Sequence, residues 1–128
     1  MRFLLDTHVL IRSLHQPERL PSELREALSR RENEVYFSAA SIWEIAIKTA
    51  LQRFDFNYRP DDIAAAARET GFAELAVSAS QASQVAQLPP IHGDPFDRLL
   101  IAQAFEAPAT LLTADALLSA YDELVQVI

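Results

Sequence analysis

The sequence predicts an α/β protein in which a mostly parallel β-sheet lies between layers of α-helices. Short apolar runs of strand length alternate along the chain with longer stretches of helical periodicity, which is the pattern of such sheets. Half of the 128 residues are hydrophobic and 23% are charged, a composition typical of globular proteins. The sequence contains no internal repeat and no linker, so we assign residues 1–128 to a single domain.

In the first half of the chain, each predicted strand is followed by a helix with a recognisable start. The apolar run 2–6 predicts a buried strand, and Thr7 is placed to cap the helix that follows it. A second helix opens at Pro21-Ser22-Glu23, where proline fits the start of a helix. Residues 35–38 are rich in β-formers and predict the second strand, and the next helix begins with residues 41–44.

The second half of the chain repeats the alternation, with proline and glycine marking helix ends. A helix begins at Pro60 and stops at Gly71, and another begins at Asp94-Pro95 and runs to about Phe105. The other predicted elements are a strand at 74–77, a helix at 80–88, a strand at 109–113, a short helix at 116–119 and a strand at 124–127.

The absence of cysteine excludes disulfides and thiolate metal ligands and suits a reducing compartment. No stretch approaches the roughly 20 apolar residues that a membrane-spanning helix needs. The N-terminal apolar run is too short for a signal peptide and ends at an acid. We therefore expect a cytoplasmic protein that does not associate with membranes.

The formal net charge of −7 is unusual for a protein that binds nucleic acid, since such proteins are more often basic. Two arrangements would reconcile this charge with a nucleic-acid substrate. A cluster of carboxylates that holds a divalent cation adds negative charge that the metal offsets. Alternatively, a basic partner, or basic residues confined to one face, would supply the phosphate contacts.

Acidic residues occur where several of the predicted strands end. Asp6 ends the first strand, Asp115 follows the strand at 109–113, Asp94 and Asp97 begin the helix before that strand, and Glu44 lies in the first turn of the helix after the second strand. Ligands of parallel sheets bind beyond the carboxyl ends of the strands, so these acids converge on one predicted edge. Oxygen-only ligands favour Mg²⁺ or Mn²⁺, and such a cation can activate water and offset charge on a phosphoryl oxygen.

Each acid also has a purely structural explanation. Asp6 can simply end a strand, and Asp115 can cap the short helix after it. Ser41 and Glu44 have the spacing of a capping box. Asp94 is a natural N-cap before Pro95, and the third helical position that follows is one where an acid favours the helix dipole. Capping explains the acids singly, whereas a metal site explains why they share one edge.

Four cationic or titratable side chains lie near these acids in the sequence. His8 and His92 flank the acidic segments, but a lone histidine is usually structural. Lys48 stands one turn after Glu44, where an ion pair between the two is expected. Arg98 is expected either to meet phosphate or to face solvent.

Four blocks of the sequence resemble the motifs of PIN-domain proteins, in family order and across essentially the whole chain. The third block resembles in particular the VapC-like ribonuclease toxins of type II VapBC toxin–antitoxin systems. The blocks are Leu4-Leu5-Asp6-Thr7-His8-Val9-Leu10-Ile11, Ser41-Ile42-Trp43-Glu44-Ile45-Ala46-Ile47-Lys48, His92-Gly93-Asp94-Pro95-Phe96-Asp97-Arg98-Leu99-Leu100-Ile101-Ala102-Gln103-Ala104 and Leu111-Leu112-Thr113-Ala114-Asp115.

The resemblance implies a metal-dependent endoribonuclease whose acidic quartet is Asp6, Glu44, Asp97 and Asp115. Asp97 takes the third place because it directly precedes the Arg-Leu-Leu-Ile-Ala run. Thr113 matches a hydroxyl position near the family's site. The resemblance further implies Mg²⁺ or Mn²⁺ as cofactor, a structured RNA such as tRNA or rRNA as substrate, a VapB-like antitoxin as partner, and a homodimer.

We therefore expect Asp6 and Asp97 to hold the ion directly, with Asp115 as ligand or support and Glu44 acting through water or on a second ion. Asp94 and Arg98 are candidate supporting residues. The main alternative is a catalytically silent PIN-like module that only binds a partner. A receiver-like phosphoacceptor domain and an Asp-nucleophile phosphatase are disfavoured because Asp6 has no neighbouring acid. DNA stays open as a substrate, since metal-assisted hydrolysis needs no 2′-hydroxyl.

Overall fold

A computed structural model describes residues 1–51 and 57–128, and in these residues five strands alternate with six helices. The strands are β1 Arg2–Leu5, β2 Glu34–Ser38, β3 Ala73–Leu75, β4 Thr110–Thr113 and β5 Val125–Val127. The helices are α1 Thr7–His15, α2 Ser22–Ser29, α3 Ala39–Ala50, α4 Pro60–Thr70, α5 Ala79–Gln84 and α6 Pro95–Glu106, with 3-10 turns at Pro17–Arg19, Val85–Gln87 and Ala116–Ala120.

The five strands form one parallel sheet in the order β3-β2-β1-β4-β5, which confirms the predicted α/β class. The central strand is β1, and its Phe3 lies opposite Val35 of β2 on one side and Thr110 of β4 on the other. From β1 the chain builds β2 and β3 on one side and then crosses to build β4 and β5 on the other. The order of the strands reverses between β1 and β4, and parallel sheets bind their ligands at the carboxyl ends of the strands at such a point.

Two hydrophobic layers cover the sheet, because side chains of a strand alternate between its faces. On β1, Phe3 and Leu5 pack into one layer with residues of α1, α3 and α4, whereas Leu4 packs into the other with residues of α6 and β4. Leu4 and Leu5 are fully buried. None of the helices in residues 1–51 and 57–128 has the length and apolar character that crossing a bilayer demands.

Two helices begin earlier than the sequence predicts, because a different side chain caps each of them. Asp6, not Thr7, caps α1, since its carboxylate accepts a hydrogen bond from the Val9 N–H. Helix α3 is capped by Ser38 and begins at Ala39. Glu44 consequently lies in the second turn of α3 rather than the first, and the capping box predicted for Ser41 and Glu44 is wrong.

Smaller boundary differences occur around β3 and α5. Strand β3 pairs with β2 only over Ala73–Leu75, so it is shorter than the predicted 74–77 run. The helix predicted at 80–88 is split into α5 and the 3-10 turn Val85–Gln87. It begins one residue early because Ser78 and Gln81 form a reciprocal capping box.

Replacement of Gly71 by alanine is expected to destabilise the protein by about 1 kcal/mol. Gly71 ends α4 in the left-handed conformation, with φ of 100°, as its position in the sequence predicts. An added Cβ would meet no atom within 4 Å, so the cost comes from the backbone alone. Chemical denaturation would measure it. Gly93→Ala is the matched control and should change stability little, because Gly93 also has open space and no positive φ; equal effects at both positions would contradict the prediction.

Candidate active site

The carboxyl ends of β1 and β4 open into a pocket of about 460 Å³, which we call the acidic pocket. All five acids singled out in the sequence line it: Asp6, Glu44, Asp94, Asp97 and Asp115. His8, Arg12, Lys48 and His92 also line it, so the acidic pocket contains basic groups as well. The pocket lies at the gap where the order of the strands reverses, as the topology predicts.

Asp6 joins the two central strands at the floor of the acidic pocket. Its side chain is almost fully buried, and one carboxylate oxygen accepts a hydrogen bond from the Val9 N–H at 2.8 Å. The other oxygen accepts a hydrogen bond from the Thr113 hydroxyl at 2.5 Å, and that hydroxyl accepts one from the Asp115 N–H at 3.0 Å. Burial raises the pKa of Asp6, and these hydrogen bonds only partly offset the effect. Thr113 therefore holds the Asp6 carboxylate in position by a hydrogen bond.

Glu44 is almost fully buried, and neighbouring side chains bind both oxygens of its carboxylate. The Thr7 hydroxyl donates to one carboxylate oxygen at 2.6 Å and lies 3.0 Å from the Ser41 hydroxyl. The Lys48 ammonium lies 2.5 Å from the other oxygen, which confirms the ion pair predicted from their spacing. The charge of Glu44 is thus compensated from within α3, and its orientation toward the pocket is determined by α1.

Asp94 and Asp97 come from the start of α6 and differ in their surroundings. Asp94 is the N-cap, as predicted, and accepts hydrogen bonds from the Phe96 and Asp97 N–H groups. The Asp97 carboxylate accepts no hydrogen bond from residues 1–51 or 57–128. Burial and the negative charges of Asp94, Asp6 and Glu44 raise the pKa of Asp97 to about 7. Burial and the neighbouring negative charges therefore outweigh the opposing effect of His92 on this carboxylate.

His92 joins the site, although the sequence alone favours a structural role for it. Its Nδ1 accepts a hydrogen bond from the Asp94 N–H at 3.0 Å, so in the neutral ring the proton lies on Nε2. Nε2 then donates to Asp115 at 2.7 Å and lies 3.7 Å from an oxygen of Asp97. The only signal in the sequence is the position of His92 at the head of the third block.

Asp115 lies at the rim of the acidic pocket and caps the 3-10 turn Ala116–Ala120, as its structural reading predicts. Slight burial acts to raise the pKa of Asp115, but hydrogen bonds from the Leu117 N–H and His92 outweigh it and lower that pKa. The carboxylate therefore stays ionised and points at His92. Asp115 therefore both caps the 3-10 turn and lines the acidic pocket.

The donor groups of the pocket fit a divalent cation. One ligand atom each of His92, Asp97 and Asp115 lies within 4.8 Å of the others. Asp6 lines the pocket with a carboxylate whose two oxygens accept hydrogen bonds from the Val9 N–H and the Thr113 hydroxyl. Burial first, and then repulsion from Asp94, Asp6 and Glu44, raise the pKa of Asp97, and a bound cation would offset both effects. Carboxylate oxygens are the ligands that Mg²⁺ and Mn²⁺ prefer.

Arg98, a candidate supporting residue, lies outside the lining of the acidic pocket and contacts the segment before α6. Its guanidinium donates hydrogen bonds at 3.0 Å to the carbonyl oxygens of Val85 and Pro89 and at 3.2 Å to the Tyr121 hydroxyl. The half-buried side chain thus attaches the segment before α6 to the body of the protein. That segment carries His92, so Arg98 acts on the site indirectly.

The fold and the pocket define a parallel α/β protein with an acidic centre suited to a divalent metal. The sequence model of the PIN domain matches residues 3–124, and the chain therefore belongs to the PIN domain family. PIN domains are typically nucleases. The assignment of residues 1–128 to one domain stays a prediction.

Two solved structures illustrate the shared fold. VapBC2 from Rickettsia felis, bound to a DNA fragment from their promoter, is similar with a TM-score of 0.67 at 15% identity, over 100% of this chain and 98% of that one. FitAcB from Neisseria gonorrhoeae is similar with a TM-score of 0.58 at 23% identity, over 96% of this chain and 95% of that one. A search of curated proteins returned no significant match.

Proposed function

We propose that this protein is a divalent-metal-dependent endoribonuclease and the toxin of a VapBC-type toxin–antitoxin pair. The observation that carries the proposal is the convergence of Asp6, Glu44, Asp97 and Asp115 on one pocket. Asp97, with a pKa of about 7 and no hydrogen bond to its carboxylate from the described residues, is the group most in need of a cation. The four residues also lie in the sequence blocks that resemble the motifs of PIN-domain proteins.

Mg²⁺ or Mn²⁺ is the proposed cofactor, with Asp6 and Asp97 as direct ligands. When bound, such an ion lowers the pKa of water and offsets charge on a phosphoryl oxygen. Asp115, aligned by the 2.7 Å hydrogen bond from His92, completes or supports the ligand set. Glu44, fixed by Thr7 and Lys48, orients the attacking water through a remaining lone pair.

The first experiment is cleavage of total cellular RNA by the purified protein with Mg²⁺, with Mn²⁺ or with EDTA. We expect fragments only when a divalent ion is present. Because water is the proposed nucleophile, the fragments should carry a 5′-phosphate and a 3′-hydroxyl, which end-labelling and ligation assays distinguish. A 2′,3′-cyclic phosphate would contradict the proposal, since it would mean that the ribose 2′-hydroxyl had attacked.

The outcome of the same assay also separates the nuclease from the alternative of a silent partner-binding module. No cleavage by protein that is folded, loaded with metal and free of antitoxin would favour the silent module. Cleavage of DNA but not RNA would keep the chemistry and change the substrate. Matched single-stranded DNA and RNA oligonucleotides of one sequence make that comparison direct.

The proposed biological setting has a VapB-like antitoxin as partner, a homodimer as the active form and the cytoplasm as the compartment. The presence of a VapBC complex among the structures that share this fold supports the antitoxin partner. Absence of cysteine suits the compartment. Co-expression with the protein of any short open reading frame next to the gene, followed by size-exclusion chromatography with light scattering, would test both partner and oligomeric state.

A further inference from the structure

Among the described residues, one lysine and one arginine line the acidic pocket, Lys48 and Arg12, and they differ in what they contact. The ammonium of Lys48 is engaged by Glu44 at 2.5 Å. Arg12 lies in the last turn of α1, half-buried, and also lines the pocket. Its guanidinium makes no ion pair or hydrogen bond with residues 1–51 or 57–128. Arg12 favours the dipole of α1 from its last turn, and within the described part of the chain its guanidinium donors stay available to a ligand of the pocket.

The place of Arg12 on α1 determines what its side chain can reach. Asp6 is the N-cap of α1, so Arg12 lies about 9 Å along the helix axis from Asp6, because each of the six residues adds about 1.5 Å. Helical side chains lean toward the N-terminus, which brings the guanidinium back over the pocket without placing it among the carboxylates. We therefore expect the guanidinium to reach a phosphate next to the one that faces the carboxylates.

We propose that Arg12 is a substrate-binding residue that holds an RNA phosphate flanking the one that is cleaved. The planar guanidinium presents paired donors that match the oxygens of a phosphate. The net charge of −7 disfavours the binding of RNA, which is also negatively charged. Arg12 would supply a cation for a phosphate at the site itself. The inference rests on the proposed nuclease function and adds to it the residue that recognises the RNA backbone.

The test compares Arg12→Ala and Arg12→Lys with Arg31→Ala as the matched control. Arg31 is exposed, does not line the acidic pocket, and its replacement removes the same charge. Binding of a fluorescent single-stranded RNA is measured by anisotropy over a range of salt concentrations, with each variant placed in the cleavage-deficient Asp97→Asn background. Mn²⁺ binding and thermal stability are measured for the same single substitutions in the otherwise native chain.

We expect Arg12→Ala to weaken RNA binding about tenfold or more and to lower the salt slope by about 0.7, because one phosphate contact is lost. Arg12→Lys should keep the salt slope and lose less affinity, since the charge remains. Mn²⁺ affinity should not fall, since Arg12 is not a ligand and its loss removes a positive charge from the pocket, and thermal stability should stay close to native. In the active protein, KM should rise about tenfold with kcat within about twofold, as for a contact made equally in ground and transition states.

The two proposals fail in distinguishable ways. If Arg12→Ala binds RNA as the Arg31→Ala control does, with the same salt slope, the role of Arg12 is overturned while cleavage by the native chain still supports the nuclease. A fall in Mn²⁺ affinity, or in kcat with KM unchanged, would overturn the flanking-phosphate assignment. If the native chain neither binds nor cleaves RNA, both proposals fall.

Discussion

Replacement of Asp97 by asparagine is expected to abolish RNA cleavage while making the metal-free protein more stable at neutral pH. The amide removes a proposed direct ligand, so activity should fall by at least about 10³-fold, the scale seen when one charge-stabilising group is removed from an active site. The gain in stability follows from the pKa of Asp97, which burial and the charges of Asp94, Asp6 and Glu44 raise to about 7.

The sign of the pH dependence follows from linkage. Between the ordinary aspartate pKa of 3.8 and about 7, the folded state binds a proton at Asp97 that the unfolded state does not. The stability associated with this proton is fully present below pH 3.8 and is lost as the pH rises through about 7. A difference of about three pKa units corresponds to at most about 4 kcal/mol. The asparagine variant, which carries no such charge, should keep that stability at high pH.

Thermal melts of the native chain and Asp97→Asn in EDTA, from acidic to mildly alkaline pH, would measure this difference. The two curves should converge at low pH and separate above neutrality, with the variant melting several degrees higher. Addition of Mg²⁺ or Mn²⁺ should raise the melting temperature of the native chain far more than that of the variant, because only the native chain keeps the ligand. A variant less stable than the native chain at every pH would show that Asp97 is structural.

Substitutions of Asp6 are expected to separate its two roles, because the carboxylate both caps α1 and faces the proposed metal. Asp6→Asn should lose activity by at least about 10²-fold and about 1 kcal/mol of stability, since asparagine keeps the N-cap but its amide nitrogen cannot accept the hydrogen bond from the Thr113 hydroxyl. Asp6→Ala should be equally inactive and also lose about 2 to 4 kcal/mol. It removes the cap and leaves the Val9 N–H and the Thr113 hydroxyl without their acceptor.

Ser78→Ala provides the control for loss of a cap, since Ser78 caps α5 outside the acidic pocket. It should lose about 1 kcal/mol of stability and keep its activity. Urea denaturation and RNA cleavage measured on the same preparations would make the comparison. Cleavage by Asp6→Asn at the native rate would mean that Asp6 is a cap alone, and the metal assignment would have to move to His92, Asp97 and Asp115.

The local sequence does not determine which residue caps α1 and which caps α3. Asp6 and Thr7 are adjacent and both suit an N-cap, as do Ser38 and Ser41. In the folded protein the Thr7 hydroxyl is committed to Glu44, so Asp6 caps α1. Pairing of β2 with its neighbours ends the strand at Ser38, so α3 starts there. Contacts between segments that are distant in the chain therefore determine which of two suitable residues caps each helix.

The sequence by itself determined the α/β class, the parallel sheet and the edge at which the acids meet. Periodicity and strand-end position are local properties, and ligands of parallel sheets always lie beyond the carboxyl ends of the strands. Only the tertiary structure decided that His92 aligns Asp115, that Arg98 holds the segment before α6, and that Arg12 lines the acidic pocket. Hydrogen bonding and electrostatic interaction depend on distances of a few ångströms between residues far apart in the chain, and sequence spacing does not specify such distances.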